Sequence, residues 1–167
     1  SRETLRNLLS YYEQAYLLFS LPDLSRSLAD NTRASSKVYA IDPGMFAAFT
    51  RASAQETGQR LETAVFNKLR RTTPPVRAGS LARLTFEHEG KSHEIDFVTG
   101  DALLDDVYQL VQVSVNLDDP KTRARELSAL ESAMAKYGIT ESTMVTMDTE
   151  ETVSVSSGIV HILPAWK

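Results

Sequence analysis

The stretch EIDFVTGDALLDDVYQLVQVSVN, residues Glu94–Asn116, predicts two neighbouring β-strands that carry polar residues at their centres. Asp96 interrupts the apolar run IDFV, and Gln112 and Ser114 alternate with valines in LVQVSV. An ionised carboxylate in apolar surroundings is costly unless it is paired, hydrogen-bonded or bound to a metal. These polar groups therefore either serve a site or face water from a half-exposed sheet.

The segments around this stretch predict an α/β domain with a mixed sheet. A helix is predicted over residues 54–71, where Leu61, Val65 and Leu69 recur every four residues. A hairpin that turns at Gly90 is predicted from LARLTFEHEGKSHEIDFVTG, and a third strand from YQLVQVSVN. A second helix is predicted from TRARELSALESAMAKYG, and a fourth strand from STMVTMD. The third and fourth strands are joined through a helix, which favours a parallel pair with a right-handed crossover.

The first part of the chain predicts a helix followed by a β-hairpin. RETLRNLLSYYEQ has helical spacing, AYLLFSL and KVYAID favour strands, and LSRSLADNTRASS between them is typical of a loop or hairpin tip. A helix plus a hairpin with a basic tip is typical of the second half of a winged-helix module. The alternative is a simple cap on the next domain. We predict two parts, residues 1–50 and residues 51–167, with Arg26, Arg33 and Lys37 as phosphate-contacting candidates at the hairpin tip.

Composition fits a domain with a substantial core and without cysteine chemistry. The 167 residues are 42% hydrophobic, have a formal net charge of -4 and include no cysteine. Disulfides and thiolate metal sites are therefore excluded. A cytoplasmic location is expected, because we find neither a signal-peptide pattern nor an apolar run long enough for a membrane helix.

The charges are unevenly distributed along the chain. Residues 51–83 contain seven Lys or Arg against two acids, and residues 84–119 contain nine acids against one Lys. A basic segment beside an acidic one is compatible with a phosphate-binding surface next to a cation site, and Lys68, Arg70 and Arg71 are its nucleic-acid-binding candidates. Two solvated faces of opposite sign are the alternative.

Polar residues on three predicted elements could form one site. Gln112 and Ser114 are two residues apart, so they share a face of their strand, and Asp96 can face the same side. Glu62 borders the apolar stripe of the predicted helix. A helix Glu with a strand Asp is what a Mg²⁺ site for phosphodiester hydrolysis needs, so Glu62 and Asp96 are the metal-ligand candidates. Such sites normally add a Lys two residues after the acid or amide of the third strand, to stabilise charge on the phosphate.

The αβββαβ order, with ETAVFNKLRR, EIDFV and LVQVSVN in it, resembles the restriction-endonuclease-like, or PD-(D/E)XK, nuclease superfamily. More narrowly, AYLLFSLPDLSRSL, KVYAIDPGM, LVQVSVNLDDPKTRARELSAL and ILPAWK resemble the C-terminal domain of bacterial and archaeal AAA+-type ATPases. That resemblance implies a P-loop ATPase module and a winged helix upstream in the same protein. The chain itself contains no GxxxxGK[ST] loop, so it does not bind ATP by that route.

The resemblance implies a role for each polar position. Glu62 matches the helix acid of the superfamily, Asp96 its strand-two acid, and Gln112 the first position of the (D/E/Q)-x-K pair. Ser114 stands where the Lys of that pair belongs and cannot supply its positive charge. The cationic residues of the following helix that could replace it in space are Lys121, Arg123 and Arg125.

Three functions compete on this reading. The first is a nucleic-acid-binding or regulatory domain of the ATPase with degraded catalysis, which the basic segment favours. The second is a Mg²⁺-dependent DNA nuclease that uses Glu62, Asp96 and Gln112, which the missing Lys disfavours. The third is a protein-interaction module, including a homo-oligomer, that touches no nucleic acid, which the net negative charge favours.

Two further patterns have structural interpretations. Tyr11, Tyr12 and Tyr16 recur at helical spacing and are interpreted as core residues rather than as a base-stacking surface. HE…HE at residues 88–89 and 93–94 could approach a Zn²⁺ across the hairpin, but two such His without a third partner are interpreted as surface residues.

Overall fold

A computed structural model describes residues 2–24, 36–49, 54–73, 80–101 and 106–167. The helices are α1 (Arg2–Gln14), α2 (Gly44–Phe49), α3 (Ala54–Thr72) and α4 (Pro120–Tyr137). The strands are β1 (Leu18–Leu21), β2 (Lys37–Ala40), β3 (Leu81–His88), β4 (Lys91–Asp101), β5 (Asp106–Val113), β6 (Glu141–Thr146), β7 (Glu151–Val155) and β8 (Gly158–Pro164).

The architecture is α/β with a mixed sheet, as the sequence predicted. Within the described residues, six strands form the main sheet in the order β3-β4-β5-β6-β8-β7, and β1 and β2 form a separate antiparallel pair. Strands β5 and β6 are parallel, which confirms the pairing predicted from the helix α4 between them. The predicted hairpin is formed by β3 and β4, which pair antiparallel on either side of the turn at Gly90.

Helix α4 is defined by strong signals at both ends. The Asp119 carboxylate accepts hydrogen bonds from the backbone N–H groups of Lys121 and Thr122, and Pro120 occupies the first turn. Gly138 ends the helix in the left-handed conformation, with φ of 68°, and its N–H bonds the carbonyl of Met134. Both ends of α4 are thereby fixed by local sequence.

Two apolar clusters pack on the sheet. The α4-side core combines α4 with the sheet and includes Leu110, Leu130, Met134, Met144 and Ile162. The α3-side core combines α3, the β1–β2 hairpin and the sheet, and its buried members are Leu21, Tyr39, Leu61, Val65, Phe66, Phe97 and Val111. The hairpin therefore shares its core with α3 and the sheet. The predicted boundary between residues 50 and 51 lies outside the described residues.

The three tyrosines near α1 are exposed, so the interpretation that they belong to the core is wrong. Tyr11 is 66% exposed, Tyr12 46% and Tyr16 68%, and Leu5 on α1 is 70% exposed. Helical spacing identifies the apolar face of a helix but carries no information about which element covers that face. Among the described residues, no helix is both long and apolar enough to cross a membrane.

Candidate active site

A lysine surrounded by three carboxylates lies where β2, α3 and β4 meet. The Lys37 Nζ lies 3.2 Å from Glu62 Oε1, 3.2 Å from Asp96 Oδ1 and 3.0 Å from Glu94 Oε1. The Lys37 side chain is 30% exposed and that of Asp96 13%. The structure thus brings Glu62 and Asp96 together around one ammonium group, and it adds Glu94 to them.

The β1–β2 hairpin delivers Lys37 by packing against α3. Tyr39 stacks on Phe66 with ring centroids 4.3 Å apart, and its hydroxyl donates a 2.6 Å hydrogen bond to Glu62 Oε1. The amide of Asn67 donates to the carbonyl of Ala40 at 3.0 Å. Lys37 and Tyr39 alternate along β2, so both reach the same carboxylate from one face of the strand.

A β-bulge sets the position of Asp96. Ile95 pairs with Leu84 and Val98 pairs with Ala82, which leaves Asp96 and Phe97 opposite a single residue of β3. Ile95 consequently packs in the α4-side core while Phe97 packs in the α3-side core. Bulges re-aim side chains in this way and are frequent beside active sites. Because of the bulge, side chains do not simply alternate between the two faces of the sheet at Asp96.

A chain of hydrogen bonds links Asp96 to α4. Gln112 Oε1 accepts from the Asp96 N–H at 3.2 Å, and Gln112 Nε2 donates to Glu126 Oε2 at 2.7 Å. Glu126 is 7% exposed, and its other oxygen accepts from Arg125. Asp96 Oδ2 in turn accepts from the Val113 N–H at 3.0 Å. At this point the side chains of Asp96 and Gln112, rather than backbone groups alone, form the hydrogen bonds between β4 and β5. Both the oxygen and the nitrogen of the Gln112 amide have protein partners.

Ser114 lies apart from this arrangement. Its hydroxyl donates to the carbonyl of Asn116, and it does not line the cleft described below. Of the cations considered as replacements for the missing Lys, Arg123 pairs with Glu151 and Arg125 with Glu126. The ammonium that does reach the carboxylates belongs to Lys37, which the sequence had pointed to only as a hairpin-tip phosphate contact.

Burial and charge determine the protonation of the site. Burial and the neighbouring Glu62 raise the pKa of Asp96 to about 6, although Lys37 and the Val113 N–H act in the opposite direction. Burial alone would lower the pKa of Lys37, but Asp96 and Glu62 outweigh it and raise that pKa. Burial and Glu62 also raise the pKa of Tyr39, so its hydroxyl remains a donor.

An open cleft of about 660 Å³ leads to the lysine. Its walls come from β2, α3, the β3–β4 hairpin, β5 and α4. The lining residues are Lys37, Glu62, Lys91, Ser92, His93, Glu94, Asp96, Gln112, Val113, Arg125, Glu126, Ser128 and Ala129. Most of these side chains are polar or charged, which is typical of a site for a charged ligand.

Of the sequence-predicted nucleic-acid contacts within the described residues, Lys37 lines this cleft and Lys68, Arg70 and Arg71 do not. Arg26 and Arg33 lie outside the described residues. Lys68 and Arg71 are exposed near the end of α3, and the Arg70 guanidinium lies 3.6 Å from the centre of the Phe19 ring. These three cations of α3 therefore lie outside the cleft, whereas Arg83 of the same basic segment approaches Glu94, with its Nη1 3.8 Å from Oε1.

The described residues contain no group of three or more His, Cys, Asp or Glu spaced to hold a metal ion. His93 stacks on the Phe86 ring, with centroids 5.4 Å apart. The zinc alternative at the β3–β4 hairpin therefore has no support in this part of the chain.

Several site residues were missed at the sequence level, namely Tyr39, Glu94, Glu126 and the role of Lys37. Glu94 and Asp96 are two residues apart, as are Lys37 and Tyr39, and this spacing was an available signal. No local signal shows that the hairpin packs on α3 with Lys37 facing the carboxylates.

The fold and site define an α/β domain with a polar cleft that ends at a lysine held by three carboxylates. The chain is 31% identical to an uncharacterised protein of Methanocaldococcus jannaschii over 173 aligned positions, which cover all of this chain and 36% of the relative. The chain thus spans about a third of that relative's length. No family model matches the chain, and no solved structure matches it significantly.

Proposed function

We propose that this chain is a restriction-endonuclease-like domain that hydrolyses phosphodiesters of nucleic acid, with Lys37 replacing the lysine missing at position 114. The observation that carries the proposal is the position of the Lys37 Nζ, 3.2 Å from both Glu62 and Asp96. Those two acids are the ones that match the superfamily pattern. The helix, three strands, helix and strand from α3 to β6, with β5 and β6 parallel, support the same class.

The donor set suits Mg²⁺. Glu62 and Asp96 each turn one carboxylate oxygen toward the Lys37 ammonium, so an ion held by those two oxygens would displace the ammonium from them and leave it beside Glu94. Mg²⁺ is commonly bound by one or two carboxylates together with waters and substrate phosphate. Glu62 and Asp96 would hold the ion, which when bound lowers the pKa of water and neutralises phosphate charge. Gln112 would position Asp96 rather than bind the ion, because its amide oxygen already accepts from the Asp96 N–H.

Lys37 would supply the fixed positive charge of the reaction. Its raised pKa keeps the ammonium charged, and with the ion on Glu62 and Asp96 the contact with Glu94 would hold the ammonium at the end of the cleft. An ammonium in this position would contact a non-bridging phosphate oxygen and stabilise the charge that develops there. Removal of one such preorganised donor typically costs about 100- to 1,000-fold in rate.

The proposal is tested by cleavage of single- and double-stranded DNA with Mg²⁺ and with Mn²⁺. We expect the unaltered protein to cleave, Asp96→Ala to abolish cleavage, and Lys37→Ala to reduce it about 100- to 1,000-fold. Glu141→Ala removes an exposed acid of β6 that does not line the cleft and should leave the rate unchanged. Thermal unfolding of each variant verifies that it is folded.

Absence of cleavage by the unaltered protein would contradict the catalytic proposal. If salt-dependent DNA binding remained, the domain would instead be a nucleic-acid-binding or regulatory domain with degraded catalysis. The proposed context is an AAA+-type ATPase, and the M. jannaschii relative, with most of its length outside the match, has room for such a module.

A protein-interaction module is the second candidate, because α1 exposes a large apolar surface. Leu5 and Tyr11 on this helix are 70% and 66% exposed, and Tyr16 just after it is 68% exposed. Exposed apolar patches of this kind often mark protein–protein contacts. Light scattering of the unaltered protein and of Leu5→Ser/Tyr11→Ser tests this, since self-association that the variant abolishes would favour the module.

A further inference from the structure

Besides Lys37, two cationic side chains of the described residues line the cleft, one on the β3–β4 hairpin and one on α4. Lys91 stands at the start of β4, on the wall formed by the β3–β4 hairpin, and is exposed. Arg125 stands on the wall formed by α4, in the first half of that helix, with its side chain 73% exposed. A polyanion that entered the cleft toward Lys37 would therefore meet two further positive charges, one on each of these walls.

Arg125 is held in a fixed relation to the carboxylates. Its guanidinium bonds Glu126 Oε1, Glu126 Oε2 accepts from Gln112, and Gln112 accepts from the Asp96 N–H. Glu126 and Gln112 are both buried, so this chain of hydrogen bonds is shielded from water. A preoriented guanidinium loses little freedom on binding and is suited to phosphate recognition.

From these observations we infer that Lys91 and Arg125 bind the phosphates that flank the one at Lys37, along one strand of nucleic acid. The inference rests on the proposed function and deepens it, because it names the side chains that position the nucleic-acid strand relative to Lys37. The cleft volume of about 660 Å³ falls within the range of small-ligand sites, so it accommodates a short stretch of one strand rather than a duplex.

The charge balance of the cleft determines how binding should be measured. Among the described residues that line it are four carboxylates and three cationic groups, so its formal charge is -1 with histidine counted as neutral. This charge repels a polyanion, and one bound divalent cation changes it to +1. Ca²⁺, which has the same charge as Mg²⁺, is therefore included in the binding assay.

The experiment measures the fluorescence anisotropy of a labelled oligothymidylate and of a DNA duplex, with Ca²⁺, over a series of salt concentrations. For the single strand, the binding constant K falls as salt rises, and the steepness of log K plotted against the logarithm of the salt concentration is the quantity measured. Lys91→Ala/Arg125→Ala should lower this steepness by about 1.4, or roughly 0.7 for each lost phosphate contact. Lys91→Ala alone should lower it by about 0.7. If the loss of Arg125 beside buried Glu126 impairs folding, the result for Lys91→Ala alone tests the inference.

A rival pair, Lys68→Ala/Arg71→Ala, removes the same charge from the end of α3, and we expect it to keep the parent affinity. If the rival pair weakens binding and the cleft variants do not, the inference is overturned while the proposed function stands, provided that the parent cleaves DNA. If the parent neither binds nor cleaves, the proposed function fails and the inference with it. Tighter binding of the duplex than of the single strand would overturn the assignment to one strand.

Discussion

The two sides of the sheet are built differently. On the α4 side, the core is mainly apolar, with the buried hydrogen bond between Gln112 and Glu126 beside it, and α4 begins and ends at ordinary capping residues. On the α3 side, an aromatic core ends at a charged cluster in which Lys37 meets Glu62 and Asp96. Sequences generally obey local rules where they serve stability and depart from them at functional sites. The α3 side, with its bulge and its buried acid, is accordingly where we place function.

Different interactions stabilise the two sides of the sheet. Burial of apolar area stabilises the α4 side, and such stabilisation changes little with pH. The α3 side adds the Tyr39–Phe66 stack and hydrogen bonds to ionised groups, which respond to pH and to bound cations. Substitutions on the two sides should therefore have distinguishable consequences.

The largest expected effect belongs to the α4 side. Leu130 is 0% exposed, and Leu130→Ala should lower the free energy of unfolding by about 2–5 kcal/mol, because it removes apolar contacts and leaves a cavity. Urea unfolding at pH 7 measures this change. Leu5→Ala on α1, where Leu5 is 70% exposed, is the control and should change the free energy by less than about 0.5 kcal/mol. A cost below about 1 kcal/mol for Leu130→Ala would contradict the described packing.

The second prediction concerns Asp96 and pH. Because its pKa is raised from the ordinary 3.8 to about 6, the folded state binds a proton between these values that the unfolded state lacks. This proton's contribution to stability is complete below about pH 3.8 and is lost as the pH rises through about 6. Asp96→Asn cannot lose that proton. The stability of the variant relative to the parent should therefore increase by up to about 3 kcal/mol between pH 4 and pH 7.

Urea midpoints of parent and Asp96→Asn at half-unit pH intervals measure this relative stability. A constant difference across the pH range would mean that Asp96 titrates at its ordinary value. The charged cluster would then not differ from a solvated surface, and the contrast between the two sides of the sheet would be lost.

The sequence predicted the α4 side of the sheet better than the α3 side. The parallel β5–β6 pair was predicted because hydrophobic periodicity and turn residues are local signals. Glu62 and Asp96 were selected as a pair from their positions on a helix and a strand. The approach of Lys37 was not foreseen, since it depends on how a distant hairpin packs on α3. The bulge at Asp96 was also missed, because Ile95 and Phe97 on either side of it look like ordinary alternation.

The smallest expected effect tests the junction of the aromatic core and the charged cluster. Tyr39→Phe keeps the ring that stacks on Phe66 but removes the hydroxyl that donates to Glu62. Because that hydrogen bond reaches a carboxylate that is still partly exposed, its loss should lower the free energy of unfolding by about 1–2 kcal/mol. Tyr108→Phe, at a tyrosine that is 62% exposed, is the matched control and should be neutral within about 0.5 kcal/mol. Equal effects of the two substitutions in urea unfolding would show that the Tyr39 hydroxyl does not hold Glu62. The position of Glu62 beside Lys37 would then depend on the ion pair alone.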